Sequence, residues 1–136
     1  MTDTIVLDSF ALISLFHKEP GWEKVQQILS ELSTSGRKAI LNIINWGEFY
    51  YIIKRRVGKR KAEETLVLLE QLPVEIIPVD ARLVKEAAEI KSDYAVSYAD
   101  AFCIATGQRY NGQVFTNDPE FELVRHLIHV IWVTDK

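Results

Sequence analysis

Four acidic residues stand at positions from which they could bind a divalent cation. Asp8 and Asp118 each follow a short apolar run, while Glu48 and Asp100 each lie just after the predicted start of a helix. Carboxylate oxygens are the ligands that Mg²⁺ and Mn²⁺ prefer, whereas zinc prefers nitrogen and sulfur. Carboxylates brought together without a cation repel one another and raise one another's pKa values. If these four side chains meet, the sequence predicts a site for Mg²⁺ or Mn²⁺.

Helix capping offers a second explanation for two of these acids. Ser97 with Asp100 has the spacing of a capping box, in which the acid returns a hydrogen bond to the backbone of the cap residue. Asn45 with Glu48 has the same spacing. Asp80 lies in a similar setting between strand and helix, and it is assigned the capping role alone. Helix caps accept neutral Ser, Thr or Asn about as well as Asp, so capping does not require an acid at every such turn.

The other two acids are also natural N-caps. Asp8 precedes a helical run, and Asp118 precedes Pro119, a residue that favours the first helical position. Capping therefore explains each acid singly, but it does not explain why all four positions carry an acid. Asp93 is predicted to be a solvated loop residue that takes no part in the site.

An alternation of strands and helices positions these acids. Runs of apolar residues predict strands over residues 4–7, 39–42, 74–77, 113–115 and 128–133. Apolar residues at helical spacing predict helices over residues 9–17, 22–32, 46–57, 59–72, 81–90 and 97–109, with a loop at 33–36 and a short helical turn from Pro119. The alternation predicts a three-layer α/β/α fold with a mainly parallel central sheet. In such a sheet the carboxyl ends of the strands share one edge, where ligands bind.

Length and composition predict one soluble domain over residues 1–136. The chain has 136 residues, of which 48% are hydrophobic, and this suffices for a single core. Its apolar runs all fall short of the roughly 20 residues that span a bilayer, and its first residues do not resemble a secretory signal. We therefore expect no membrane association and a cytoplasmic location. Cys103 is the only cysteine and is predicted to pack in the core.

The distribution of basic residues leaves room for a nucleic-acid substrate. The formal net charge of −3 argues against general nucleic-acid binding, which usually needs a basic surface. Acids that bind a cation, however, no longer contribute to the field that a substrate experiences. Lys54, Arg55 and Arg56 follow Glu48 on the same predicted helix and could bind flanking phosphates. The alternative is that these three residues form a solvated helix junction.

Four motifs spread over nearly the whole chain resemble those of a known family. They are, in order, Ile5-Val6-Leu7-Asp8-Ser9, Asn45-Trp46-Gly47-Glu48, Tyr98-Ala99-Asp100-Ala101 and Phe115-Thr116-Asn117-Asp118-Pro119-Glu120-Phe121. Their order, their spacing and the length of the chain together carry the resemblance. In this combination the sequence resembles the PIN domains, and in particular the VapC-type toxins of bacterial and archaeal toxin-antitoxin pairs.

The resemblance implies an endoribonuclease that hydrolyses RNA phosphodiester bonds at an acidic metal site. Ser9 and Thr116 would be nearby hydroxyl partners of the acids. The implied ligands of Mg²⁺ or Mn²⁺, directly or through water, are Asp8, Glu48, Asp100 and Asp118.

The same resemblance implies a homodimer that a small antitoxin protein neutralises. Large aromatic residues dominate many protein interfaces. An apolar helix surface around Trp22, Phe49 and Tyr50 would suit such a dimer.

Other functions stay open on the sequence alone. A PIN-like domain retained for protein binding or regulation would lack catalysis, although an intact set of four acids argues against it. A structure-specific DNA nuclease would use the same acids. A phosphoaspartate enzyme also places an acid after its first strand, but Asp8-Ser9-Phe10 lacks the second aspartate expected two residues on. The glycine patterns of dinucleotide-binding and P-loop proteins are absent from the sequence, which disfavours both classes.

Overall fold

The computed structural model describes residues 4–134, which form a five-stranded sheet flanked by helices. Its strands are β1 (Ile5–Leu7), β2 (Ala39–Asn42), β3 (Val74–Ile77), β4 (Gln113–Thr116) and β5 (His129–Trp132). They are arranged in the order β3-β2-β1-β4-β5, and every neighbouring pair is parallel. Residues 1–3 and 135–136 of the predicted domain lie outside the described part of the chain.

Helices cover both faces of this sheet. The α-helices are α1 (Ser9–His17), α2 (Trp22–Thr34), α3 (Ile43–Val57), α4 (Lys59–Glu70), α5 (Ala81–Asp93) and α6 (Tyr98–Arg109), and a 3-10 helix spans Pro119–Val124. Helices α1 to α4 contribute to one apolar core, whereas α5, α6 and the 3-10 helix contribute to the other. The predicted three-layer α/β/α fold is confirmed. Within residues 4–134, no helix has both the length and the apolar character needed to cross a membrane.

Successive side chains of the central strands enter opposite cores, as a pleated strand requires. Ile5 and Leu7 of β1 belong to the core under α1 to α4, whereas Val6 belongs to the core under α5 and α6. In β4, Phe115 belongs to the core under α1 to α4, and Val114 belongs to the core under α5 and α6. This burial on both faces is the reason that the strands read as continuous apolar runs rather than as alternating patterns.

The order of the strands reverses between β1 and β4. The chain leaves β1 through α1 and α2 to reach β2 on one side, and it leaves β3 through α5 and α6 to reach β4 on the other. These two connections lie on opposite faces of the sheet, so the carboxyl ends of β1 and β4 flank the crevice where open parallel sheets bind ligands. Asp8 follows β1 directly, and Asp118 follows β4 after one intervening residue.

Helix α3 begins earlier than the sequence indicates. We predicted its start at Trp46, whereas it starts at Ile43, directly after β2. The Asn42 side chain accepts a hydrogen bond from the backbone N–H of Asn45 at 2.8 Å, so the last residue of the strand is itself the N-cap. Ile43 and Ile44 are β-branched and look like a continuing strand, but both are exposed in the first helical turn.

Candidate metal centre

Asp8 lies at the end of β1, where its side chain is fully buried. The residue stands at the N-cap position of α1, but its side chain makes no capping hydrogen bond, so the capping explanation for Asp8 is wrong. The Thr116 hydroxyl donates to Oδ2 of Asp8 at 2.7 Å, and Oδ1 has no hydrogen-bond partner among the described residues. A buried acceptor without a partner destabilises a fold by about 1–3 kcal/mol. Asp8 therefore has an oxygen that only a further ligand would satisfy.

Helix α6 places Asp100 so that its carboxylate accepts no hydrogen bond from the described residues. The Ser97 hydroxyl caps the helix by accepting from the backbone N–H of Asp100 at 3.1 Å, as predicted. In a capping box the Asp100 carboxylate would accept from the Ser97 backbone N–H, but that N–H donates instead to Oε1 of Glu120 at 3.0 Å. No group within residues 4–134 donates to either carboxylate oxygen of Asp100, and both oxygens are buried. Only half of the predicted capping box is therefore formed.

Asp118 combines a capping role with a link to Asp8. Its Oδ1 accepts from the backbone N–H of Glu120 at 2.9 Å, and Pro119 opens the 3-10 helix, which confirms the predicted N-cap. Its own backbone N–H donates to the Thr116 hydroxyl at 3.0 Å. One hydroxyl group therefore connects Asp118 to Asp8.

Glu48 approaches from the second turn of α3. The prediction that it forms a capping box with Asn45 is wrong, because α3 starts three residues earlier than expected and its cap is Asn42. The Ser9 hydroxyl, at the start of α1, donates to Oε1 of Glu48. Glu48 is 8% exposed, so its carboxylate is largely removed from water. A second hydroxyl group thus ties an acid on α3 to the residue next to Asp8.

Two asparagines fix α3 against α6. Asn45 donates from Nδ2 to the backbone carbonyl of Ala99 at 3.1 Å, and Asn42 donates from Nδ2 to the Thr106 hydroxyl at 3.1 Å. The two amides are buried and are hydrogen-bonded to each other at 2.7 Å. A fully satisfied buried network of this kind makes a core rigid. It therefore keeps the helices that carry Glu48 and the Asp100 motif in one relative position.

The acids from these separate elements meet at the carboxyl edge of the sheet. One carboxylate oxygen from each of Asp100, Asp118 and Glu120 lies within 4.8 Å of the others. The negative charges of Glu48 and Asp118 act on Asp8. The charge of Asp8 in turn acts on Asp100. We call these five residues the acidic cluster: Asp8, Glu48, Asp100, Asp118 and Glu120.

Glu120 is the member of the acidic cluster that the sequence analysis did not identify. It lies inside the motif quoted for Asp118, and it looks there like an ordinary acid in the first turn of a helix. It lies two residues after Asp118, a spacing that does not by itself bring two side chains together. Its contact with Ser97, 23 residues away, leaves no trace in the sequence.

Burial raises the pKa values of the inner acids. It raises the pKa of Asp8 from 3.8 to about 7, although the hydrogen bond from Thr116 opposes the change. It raises the pKa of Asp100 from 3.8 to about 11, and the neighbouring carboxylates add to the effect. Burial also raises the pKa of Glu48. The pKa of Glu120 is lowered, chiefly by its proximity to the Asp100 carboxyl group and next by the Ser97 backbone N–H that donates to it. Without a cation, the cluster therefore holds protons at neutral pH.

The acidic cluster fits a divalent cation such as Mg²⁺ or Mn²⁺. Its ligand atoms are carboxylate oxygens, the hard donors that these ions prefer. Within the described part of the chain, Oδ1 of Asp8 and both carboxylate oxygens of Asp100 are buried without a partner. A cation would satisfy these oxygens and would remove the repulsion between the carboxylates.

Asp80 and Asp93 lie apart from the acidic cluster. Oδ1 of Asp80 accepts from the backbone N–H of Leu83 at 2.8 Å, and its Oδ2 lies 3.2 Å from the Arg109 guanidinium, so the predicted capping role is confirmed. Asp93 is exposed, as predicted, but it is the last residue of α5 and not a loop residue. Both residues therefore serve as controls for charge removal outside the cluster.

The predicted RNA-binding residues occupy the last turn of α3. Lys54, Arg55 and Arg56 are all exposed, roughly two turns beyond the acid on the same helix. Arg56 forms an ion pair with Glu19 at 2.9 Å, whereas the Arg55 guanidinium lies 5.0 Å from the centre of the Tyr51 ring. The charge of Arg56 is thus partly neutralised within the chain, which makes Lys54 and Arg55 the stronger candidates for phosphate binding.

The apolar surface predicted around Trp22, Phe49 and Tyr50 is not formed. Phe49 is completely buried, with its ring 5.6 Å from that of Phe16, because α3 turns this face towards the core. Trp22 and Tyr50 are half-buried. The large apolar side chains that α3 does expose are Ile43, Ile44, Tyr51 and Val57.

Replacing Asp100 with asparagine is expected to raise the melting temperature of the metal-free protein. At neutral pH the unfolded chain has released the Asp100 proton, since its pKa there is 3.8, whereas the folded chain keeps the proton up to about pH 11. This difference in bound protons lowers the free energy of unfolding as the pH rises above 3.8. Asparagine is neutral in both states, and its amide can donate to the neighbouring carboxylates. We expect an increase of about 3 °C or more in thermal unfolding with EDTA.

Asp80→Asn is the matched control for this measurement. The pKa of Asp80 is lowered by its capping hydrogen bond and by Arg109, so its charge favours the folded state. Its removal should leave the melting temperature unchanged or slightly lower. If Asp100→Asn melts at or below the wild-type temperature in EDTA, the burial of the Asp100 carboxyl group does not destabilise the metal-free fold.

Fold and site together define a doubly wound α/β protein with a carboxylate centre at its topological switch point. The family model described as the PIN domain matches residues 5–127, and the chain belongs to the PIN domain family. The resemblance inferred from the four motifs is therefore confirmed.

Solved structures of toxin-antitoxin proteins share this fold. VapBC2 from Rickettsia felis, bound to a DNA fragment from the promoter, superposes with a TM-score of 0.77 at 15% identity, over 95% of this chain and 98% of that chain. A toxin-antitoxin complex from Klebsiella pneumoniae gives a TM-score of 0.72 at 19% identity, over 98% and 100%. VapC20 of Mycobacterium tuberculosis, described as a Sarcin-Ricin loop cleaving toxin, gives 0.72 at 17% identity, over 89% and 95%. The sequence matches none of the curated proteins with which it was compared.

Proposed function

We propose that this PIN-domain protein is an endoribonuclease that depends on Mg²⁺ or Mn²⁺ and acts as the toxin of a toxin-antitoxin pair. The observation that carries the proposal is the set of buried carboxylate oxygens without hydrogen-bond partners in Asp8 and Asp100. Such oxygens destabilise the fold unless a ligand binds them, and a hard cation is the ligand that suits them. The shared fold with VapC20, a toxin described as cleaving the Sarcin-Ricin loop, supports RNA as the substrate.

The four predicted acids would hold the cation, either directly or through water. Asp8 and Asp100 contribute buried oxygens, and Asp118 contributes the oxygen that does not cap the 3-10 helix. Glu48 is the fourth acid of this set and lies on α3. When bound, a divalent cation at such a site lowers the pKa of a water molecule and neutralises charge that develops on the scissile phosphate.

Two hydroxyl groups orient the carboxylates before substrate binds. Thr116 donates to Oδ2 of Asp8 and leaves Oδ1 free to bind, and Ser9 donates to Oε1 of Glu48. Groups that hold metal ligands in this way typically affect metal affinity or activity by about 10- to 100-fold. Lys54 and Arg55 would bind phosphates of the RNA that flank the cleaved bond.

The proposed partners are a cognate antitoxin protein and a second copy of the chain. The solved complexes that share this fold include VapBC2 and the toxin-antitoxin complex of Klebsiella pneumoniae, which supports an antitoxin partner. The exposed apolar side chains of α3 offer a surface for protein contacts. We place the protein in the cytoplasm, where RNA and an antitoxin are both present.

Cleavage of labelled RNA by the purified protein, free of antitoxin, tests this function. We expect products with Mg²⁺ or Mn²⁺, no products with EDTA, and recovery when excess Mg²⁺ is added after EDTA. A single-stranded DNA of matched sequence is the comparison substrate. Cleavage of the DNA alone would replace the proposal with a DNA nuclease. No cleavage of any RNA class, or cleavage that EDTA does not affect, would favour a non-catalytic binding domain or a different active site.

A further inference from the structure

The amino end of α6 receives its two capping hydrogen bonds from different parts of the chain. The Ser97 hydroxyl accepts from the backbone N–H of Asp100, which is the ordinary bond of an N-cap serine. The Ser97 backbone N–H donates to Oε1 of Glu120 on the 3-10 helix at 3.0 Å. Glu120 therefore supplies the second half of a capping box from outside the helix.

Asp100 is the residue that would form this bond in an isolated helix. It stands at the third helical position after Ser97, where an acid in a capping box returns a hydrogen bond to the cap backbone. A carboxylate turned back towards Ser97 would no longer offer both oxygens to the acidic cluster. Because Glu120 already accepts from that N–H, both buried oxygens of Asp100 stay without a donor.

Glu120 is itself tied to a second member of the cluster. Its backbone N–H donates to Oδ1 of Asp118 at 2.9 Å, and its carboxylate lies within 4.8 Å of oxygens of Asp100 and Asp118. One residue thus connects the start of α6 to the start of the 3-10 helix. We propose that Glu120 is a positioning residue that, by accepting from the Ser97 backbone N–H, keeps the Asp100 carboxylate free to bind the cation. This role rests on the proposed metal-dependent function.

Two substitutions at Glu120 separate the effect of the hydrogen bond on Mn²⁺ affinity from the effect of the negative charge. Glu120→Gln and Glu120→Ala both remove the negative charge, but only the glutamine side chain keeps an oxygen that accepts from Ser97. We expect Glu120→Gln to bind Mn²⁺ about tenfold more tightly than Glu120→Ala in calorimetric titrations without RNA. Amide exchange measured by NMR should show the Ser97 N–H protected in all three proteins, because in Glu120→Ala the Asp100 carboxylate should accept from it in place of Glu120. An unprotected Ser97 N–H in Glu120→Ala would show that Asp100 does not turn back to the cap, and it would overturn the positioning role.

Equal Mn²⁺ affinities in the two variants would overturn the positioning role, because the acceptor would then have no effect. Thermal unfolding shows whether both variants are folded, which the partly exposed position of Glu120 favours. Asp8→Asn separates this inference from the proposed function. If Asp8→Asn binds Mn²⁺ as wild type does, the proposed metal site fails. If Asp8→Asn loses Mn²⁺ while the two Glu120 variants remain equal, only the positioning role fails.

Discussion

Asp8→Asn and Asp100→Asn should each lower the rate of RNA cleavage by about a thousandfold or more. Each change removes a buried carboxylate that we propose as a metal ligand, and metal catalysis contributes several kcal/mol to the stability of the transition state. A loss of about 4 kcal/mol corresponds to a thousandfold change in rate. Single-turnover cleavage of one labelled RNA at saturating Mg²⁺ measures the effect.

Removal of a carboxylate elsewhere should leave cleavage intact. Asp93→Asn changes an exposed acid at the end of α5, and Asp80→Asn changes an exposed helix cap. Circular dichroism and thermal unfolding show whether all four variants keep the fold. Cleavage by Asp8→Asn and Asp100→Asn at the rate of these controls would mean that the acidic cluster is structural and that the catalytic residues lie elsewhere.

The affinity for Mn²⁺ should fall by about a hundredfold or more between about pH 8 and about pH 6. A cation binds carboxylates in their charged form and displaces their protons. The metal-free protein holds the Asp100 proton throughout this range, because the pKa of Asp100 is about 11. Asp8, whose pKa is about 7, takes up a proton as the pH falls through this range, so that the acidic cluster then holds two protons. Each displaced proton changes the affinity about tenfold per pH unit.

Calorimetric titrations in buffers of different ionisation enthalpy count the protons released. We expect between one and two protons per Mn²⁺ ion near neutral pH, and fewer in Asp100→Asn, which cannot carry the proton of the carboxylic acid. Asp93→Asn should release the wild-type number. An affinity that does not change with pH would show that the cation binds somewhere other than these buried acids.

The sequence reveals the placement of Asp8 and Asp118 because both depend on local pattern. Each follows an apolar run, and parallel strands with buried faces produce such runs. Once the alternation of strands and helices predicts a parallel sheet, the carboxyl ends of β1 and β4 share one edge, and the acids that follow them must lie close together.

The start of α3 could not be read in the same way. Ile43 and Ile44 have the composition of a strand, and Asn45 with Glu48 has the spacing of a cap. The Asn42 side chain caps α3 through the backbone N–H of Asn45, and it also donates to Thr106 on α6. The cap is local, but the contact with Thr106 joins residues 64 positions apart, so no local pattern contains it.

The incorrect predictions for Asp100 and Phe49 have the same physical origin. The bond from Ser97 to Glu120 joins a helix to a turn 23 residues away, and it decides whether Asp100 caps a helix or faces the cluster. The burial of Phe49 depends on which side of α3 meets the core. Local pattern identifies which residues can serve in a site, whereas contacts between distant elements decide which of their atoms remain available.

Anomalous diffraction at the manganese edge, from crystals grown or soaked with Mn²⁺, locates the cation directly. We expect a peak bounded by the carboxylates of Asp8, Asp100 and Asp118, at the carboxyl ends of β1 and β4. An anomalous map without a peak there, at Mn²⁺ concentrations that support cleavage in solution, would contradict the assignment of the acidic cluster as the metal centre.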